Sequence, residues 1–180
     1  MLGDRILIWK VKNGDKQALR RLYDKYKDDL LTVAVSMLND KSDAEDVLRD
    51  VFVSFVEIAK RFHLSGSIRN YLITSVINRI RDRYRRKMYQ VVELDGIALS
   101  GPDNLGPDGK ALENEQSQIL IDALSKIPVQ QREVIVLYLQ AAMKFREIAE
   151  MQDTSVGTVR ARYYYGIDKL RSILNGIIVE

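Results

Sequence analysis

At 180 residues, 46% hydrophobic and 29% charged, the chain has an ordinary globular composition and room for one large domain or two small ones. No cysteine and a single histidine, His63, exclude a disulfide framework and leave no ligand set for zinc or thiolate chemistry, so neither metal nor cofactor is expected. A net charge of +3 requires any nucleic-acid surface to arise by clustering. Apolar runs far below the roughly 20 residues that span a bilayer, and an N-terminus too short and charge-broken for a signal peptide, predict a cytoplasmic protein without membrane insertion.

Asp4 to Lys12 reads as a short helix offering Ile6, Leu7, Trp9 and Val11 for burial, ended by Asn13-Gly14. Asp15 suits an N-cap, and Ala18, Leu19, Leu22, Tyr23, Tyr26, Leu30, Val33, Ala34 and Met37 keep the three-four spacing of an amphipathic helix. After an Asn39-Asp40-Lys41 turn, Ser42-Asp43-Ala44-Glu45 has the form of a capping box opening a helix to about Arg61. Its buried stripe is Ala44, Val47, Leu48, Val51, Phe52, Phe55 and Ile58. The opposite face carries Asp43, Glu45, Asp46, Arg49 and Asp50, and is either simply solvated or a docking surface for a basic partner.

Past the loop His63-Leu64-Ser65-Gly66-Ser67, whose histidine is given no catalytic role, a long helix is predicted from Ile68 to Lys87. Ile68, Tyr71, Leu72, Ser75, Val76 and Ile80 form its inner face. Its end sets Arg79, Arg81, Arg83, Arg85, Arg86 and Lys87 against Asp82, with Tyr84 and Tyr89 interleaved. Compensation of the helix dipole accounts for part of this cluster; the remainder points to a phosphate-tracking surface. Met88 to Ala111 holds Pro102, Pro107 and four glycines, acids outnumber bases, and no helical period survives. The chain thus divides into an N-terminal helical domain over 1–87, a flexible acidic linker over 88–111 and a C-terminal helical domain over 112–180.

In the second domain Ile119, Leu120, Ala123 and Leu124 face inward, and Pro128 opens a further helix with Val129, Arg132, Glu133, Ile135, Val136 and Leu139. Lys144 to Arg171 then reads as two helices about a tight turn. Phe145, Ile148, Ala149 and Met151 share one face of the first, and Gln152-Asp153-Thr154 makes the turn. Ser155 caps the second, which carries Val156, Val159, Tyr163, Ile167 and Leu170 at helical spacing. This is a helix-turn-helix, whose second helix enters the DNA major groove N-terminus first. Its leading residues, Ser155, Gly157, Thr158, Arg160 and Arg162, are small or carry donors for base edges and phosphates. A plain αα-hairpin with solvated arginines is the competing reading. Asn175-Gly176 reads as a stop before the apolar Ile177-Ile178-Val179 tail.

Several motifs stand along the chain in a definite order. The first domain holds Asp43-Ala44-Glu45-Asp46-Val47 with Val51-Phe52, then Tyr71-Leu72, Asn78, Asp82 and Arg85-Arg86. The second holds Ile127-Pro128, Gln131-Arg132-Glu133-Val134, Glu147-Ile148-Ala149-Glu150 and Val156-Gly157-Thr158-Val159 with Arg162. In order and spacing the chain resembles bacterial sigma factors of the extracytoplasmic-function (ECF) type, within the sigma-70 family. It departs from that pattern with Tyr71 for tryptophan, Ile77 where arginine is frequent, and Gln152-Asp153-Thr154 for leucine-glycine-isoleucine. Tyr163-Tyr164-Tyr165 stand where basic residues commonly follow.

The resemblance implies an all-α fold and a non-enzymatic subunit that gives core RNA polymerase its promoter specificity. Asp43, Glu45, Asp46, Arg49, Asp50 and Phe52 would bind the β′ clamp helices, with the β subunit a further contact. His63, Ser65, Arg69, Asn70, Asn78, Arg79, Arg83, Arg85 and Arg86 would read and hold the unwound −10 element, with Tyr84 either a stacking platform or structural. Ser155, Gly157, Thr158, Arg160 and Arg162 would read the −35 duplex, and an anti-sigma factor is a candidate partner. Three rivals are weighed against this: a free-standing helix-turn-helix regulator, a sigma mimic that sequesters an anti-sigma factor, and a recombinase using Tyr163, Tyr164 or Tyr165. The regulator leaves the first domain unexplained, the mimic the arginine cluster. The recombinase lacks converging activating groups.

Overall fold

The structure, a computed structural model, describes residues 2–61, 66–95 and 115–178. Among them are eight helices and no strand: α1 (Leu2–Lys12), α2 (Lys16–Leu38), α3 (Lys41–Ile58), α4 (Ile68–Asp95), α5 (Glu115–Ser125), α6 (Val129–Leu139), α7 (Phe145–Met151) and α8 (Val156–Ile178). No helix among the described residues is long and apolar enough to cross a membrane.

The first four helices gather around α2. Asp15 caps it as expected, its side chain accepting from the Gln17 and Ala18 amides at 2.8 and 3.0 Å. Leu22, Leu30, Val33, Ala34 and Met37 are buried along α2 against Ala44, Val47, Leu48 and Phe55 of α3 and Leu72, Val76 and Ile80 of α4. Each fully buried aliphatic side chain contributes about 1.5–3 kcal/mol, which is what fixes the helices' rotation. α4 also buries Ile73 and Ile77, a wider arc than its predicted inner face. Ile77 therefore belongs to the core, where an arginine would be costly.

Several expected details differ. α1 buries Ile8 and Val11 and leaves Ile6 and Trp9 exposed. The cap of α3 is Asp40, whose carboxylate accepts from the Asp43 amide at 2.7 Å, so Ser42 lies inside the first turn and makes no capping box. α3 ends at Ile58, which is exposed, while Ala59 is buried in its place. α4 runs on to Asp95, past the predicted stop at Lys87 and into the segment read as linker. α8 continues through Asn175-Gly176 to Ile178. In the second domain Leu120 and Leu139 are exposed. Residues 96–111, the rest of the predicted linker, lie outside the described residues, as do residues 112–114 and Val179.

The second group packs on α6, which is buried on nearly every side (Arg132 to Leu137) because it lies between α8 and the first domain. The two groups touch. Arg132 donates to the Met37 carbonyl at the end of α2 at 2.7 Å, and to the Ser125 and Ile127 carbonyls. Asn39 donates to Asp122 at 3.2 Å.

Candidate nucleic-acid interface

α2 and α3 leave between them an open groove of about 730 Å³, lined by Leu19, Tyr23, Leu31, Leu48, Phe52, Val53 and Val56 together with Lys27, Asp28, Lys41, Glu45, Arg49 and Glu57. The Tyr23 and Phe52 rings meet edge-on with centroids 4.9 Å apart. An apolar trough with charges of both signs suits an amphipathic helix. Of the residues expected to bind a partner here, Glu45, Arg49 and Phe52 line the groove. Asp43 and Asp50 instead turn to α4, 2.9 Å from Arg83 and 3.8 Å from Arg79, and Asp46 pairs with Arg49 at 2.9 Å. Val53 and Val56, 55% and 44% exposed, were not singled out by the sequence reading. Their signal was there: two valines on the polar side of a helix whose buried stripe was already complete.

The basic end of α4 is less free than its sequence suggests. Arg79, Arg81, Arg83 and Arg85 each pair with a carboxylate: Asp50, Glu133, Asp43 and Asp82 respectively. Arg79 also donates to the Ser54 hydroxyl at 3.0 Å. Only Asp82 is near in sequence, so counting charge along one helix overestimates its field. Arg85, Arg86 and Lys87 remain exposed, and so does Asn78. At the start of α4, Arg69 pairs with Asp29 at 2.9 Å and donates to the Ala141 carbonyl, while Asn70 donates to Glu147 at 2.9 Å. Both are thus engaged at the contact between the two helix groups. His63 and Ser65 lie outside the described residues. Tyr84 is structural: its hydroxyl donates to the Met37 carbonyl at 2.7 Å, and burial raises its pKa against the opposing pull of Arg132.

The helix-turn-helix forms as predicted. Lys144 precedes α7, with its amide bonded to the Glu147 carboxylate at 2.8 Å. Asp153 takes a left-handed φ of 49° in the turn where the sigma pattern has glycine. Ser155 caps α8, accepting from the Thr158 amide at 3.0 Å and sharing a 2.9 Å bond with the Thr158 hydroxyl. Val159 is fully buried beneath the leading turn, and Ser155, Gly157 and Arg160 are exposed. Arg162 is drawn inward and donates to Gln152 at 2.7 Å; Gln152 in turn donates to Glu133 at 2.7 Å. Arg81 binds the same Glu133 carboxylate with two nitrogens. A hydrogen-bonded chain therefore runs from α4 to α8. Tyr163 packs in an aromatic cluster, 5.0 Å from Tyr138 and 5.4 Å from Phe145 between ring centroids, and its burial raises its pKa.

Residues 22–88 match the Sigma-70 region 2 family and residues 117–170 match the Sigma-70, region 4 family. The ECF RNA polymerase sigma factor SigW of Bacillus subtilis is 27% identical over 179 residues, spanning 94% of this chain and 96% of SigW. In fold, the chain is similar to CnrH in complex with the cytosolic domain of CnrY, at a TM-score of 0.68 and 24% identity over 97% of this chain and 98% of that one. It is also similar to RpoE of Bartonella quintana in complex with the anti-sigma factor NepR, at a TM-score of 0.69 and 19% identity over 87% and 96% of the two chains. With the two region families matched in order, one on each helix group, and sigma factors similar along nearly the whole length, the chain belongs to the sigma-70 family as a sigma factor of the ECF type.

Proposed function

We propose that this chain is an alternative sigma factor that binds core RNA polymerase, through its β′ clamp helices and its β subunit, and directs promoter-specific initiation in the cytoplasm. The α2–α3 groove takes the clamp helices, with Glu45 and Arg49 pairing charges beside the apolar trough. The first domain reads and holds the unwound −10 strand, with exposed Arg86 ready for phosphates, Arg85 and Lys87 exposed but paired with Asp82 and Asp43, and Arg69, Asn70, Arg79 and Arg83 available once their present partners release them. α8 reads the −35 duplex from Ser155, Gly157, Thr158 and Arg160. An anti-sigma factor completes the set of partners, as the NepR complex of RpoE suggests.

The observation that carries this reading is the joining, in one chain, of an amphipathic-helix groove on α2–α3 to a helix-turn-helix with an exposed reading face. A free regulator needs only the second. Run-off transcription with purified core polymerase and fragmented genomic DNA tests it. Transcripts that require this chain are expected, and they deliver the −10 and −35 sequences. No transcripts together with no co-elution with core polymerase would overturn the reading in favour of a free-standing regulator; co-elution alone would favour a mimic.

A further inference from the structure

On the proposed reading of α8, we infer that Tyr164 and Tyr165 extend the duplex contact as uncharged phosphate ligands, their hydroxyls donating to the DNA backbone beyond the bases read by Ser155 and Arg160. Arg160, Ala161, Tyr164, Tyr165 and Asp168 are all exposed, and their spacing places them on one stripe of the helix. The opposite side is committed to the core through Val159, Gly166 and Leu170. At about 1.5 Å of rise per residue, Tyr164 stands roughly 13 Å along the axis from Ser155. The major groove is about 12 Å wide. A helix entering N-terminus first therefore brings the two tyrosines to the phosphate rail as Ser155 and Arg160 meet base edges.

The tyrosines are suited to that place. Tyr164 and Tyr165 are 63% and 69% exposed, whereas neighbouring Tyr163 is spent on the aromatic cluster. The Tyr164 ring lies edge-on to Tyr163 with centroids 5.6 Å apart, which restricts its rotamers before DNA arrives. Exposed Arg160 and Lys169 flank the pair with positive charge. Asp168, the next residue of the stripe, pairs with Arg171 at 3.4 Å. Tyrosine hydroxyls are among the side-chain donors that bind phosphate. They release no counterion, so the affinity they supply does not decay with salt as that of lysine or arginine does.

The test uses the full chain bound to core polymerase and a promoter fragment recovered by run-off transcription, with affinity measured across a salt series. Tyr164→Phe and Tyr165→Phe are each expected to weaken binding about tenfold, the scale of a hydrogen bond to a charged group, with no change in salt slope. Tyr165→Arg is expected to steepen the slope by about 0.9. Because both side chains are exposed, melting curves of the free variants should match the parent, which separates lost contact from misfolding. Unchanged affinity of the double Phe variant at every salt, with Arg160→Ala weakened, would overturn the inference and leave the reading of α8 intact. If Arg160→Ala is also unchanged, or if no promoter fragment is recovered, the reading fails and takes the inference with it.

Discussion

Ala142, exposed in the connection between α6 and α7, holds a φ of 53°, a conformation that costs an L-residue about 1–2 kcal/mol. Ala142→Gly removes that strain and gives back part of it as chain entropy, so a net gain of up to about 1 kcal/mol and a raised Tm are expected. Asp153 sits at φ 49°, but aspartate visits this region more readily than alanine. Asp153→Gly should accordingly gain less, and a larger gain there would contradict the ranking. Gly166 is the opposite case. A Cβ at this position would meet Ile135 Cδ1 at 2.8 Å and Gln131 Cβ at 3.1 Å. The isoleucine tip can rotate away, but a Cβ fixed to the α6 backbone cannot. Although alanine favours helix by roughly 1 kcal/mol, Gly166→Ala is expected to destabilise the second domain by about 1–3 kcal/mol through overpacking. Urea unfolding that showed no loss would mean that α6 and α8 pack with slack.

The amphipathic elements were legible because their buried stripes repeat at the helical period. Leu22, Leu30 and Val33 in α2, Val47 and Phe55 in α3, and Ile148 and Val159 in the helix-turn-helix all lie where the spacing puts them. Legibility failed where the cause was tertiary. Ile73 and Ile77 are buried because α4 packs on more than one side, and Glu133 neutralises Arg81 from another helix. The cap of α3 failed for a local reason: Asp40 and Ser42 are both good capping residues, and the backbone chose the earlier one, extended at φ −145° and ψ 122°. Asp40→Ala should therefore cost about 1 kcal/mol in urea unfolding, against less than about 0.5 kcal/mol for Ser42→Ala; the reverse order would restore the capping box. The groove carries a second prediction at this scale. Val53→Asp with Val56→Asp should leave Tm nearly unchanged, both positions being exposed, while lowering affinity for core polymerase at least about tenfold. That corresponds to roughly 1.4 kcal/mol, modest for placing two charges against an apolar partner. Intact polymerase binding, measured by competition against the parent chain, would remove the groove from the docking surface.

Across the whole molecule, two helix groups that promoter recognition would employ at separate DNA elements are held against each other by polar groups that cannot be left dry. Met37 supplies the shared acceptor: its carbonyl receives both the Tyr84 hydroxyl from α4 and the Arg132 guanidinium from α6. Arg81 with Glu133, Asn70 with Glu147, and Arg69 with the Ala141 carbonyl complete the seam. Of these, Arg69 and Asn70 are also proposed for the −10 strand, so on that reading closure and DNA contact would compete for the two side chains. Tyr84 binds within the first group, and what it makes sensitive to alkali is the α2–α4 contact beneath the seam. Desolvation by burial raises its pKa above the ordinary value near 10, the nearby Arg132 opposing but not cancelling that effect. A group whose pKa is raised on folding contributes its stability in full below the unfolded value and loses it as pH rises through the folded one. That contact should therefore hold at neutral pH and weaken above about pH 10. Urea unfolding of the whole chain, followed from about pH 8 to 12, reads the effect. Stability is expected to fall at the alkaline end in the parent chain. Tyr84→Phe should begin less stable and show a smaller alkaline step; a step of undiminished size would place the titrating group elsewhere.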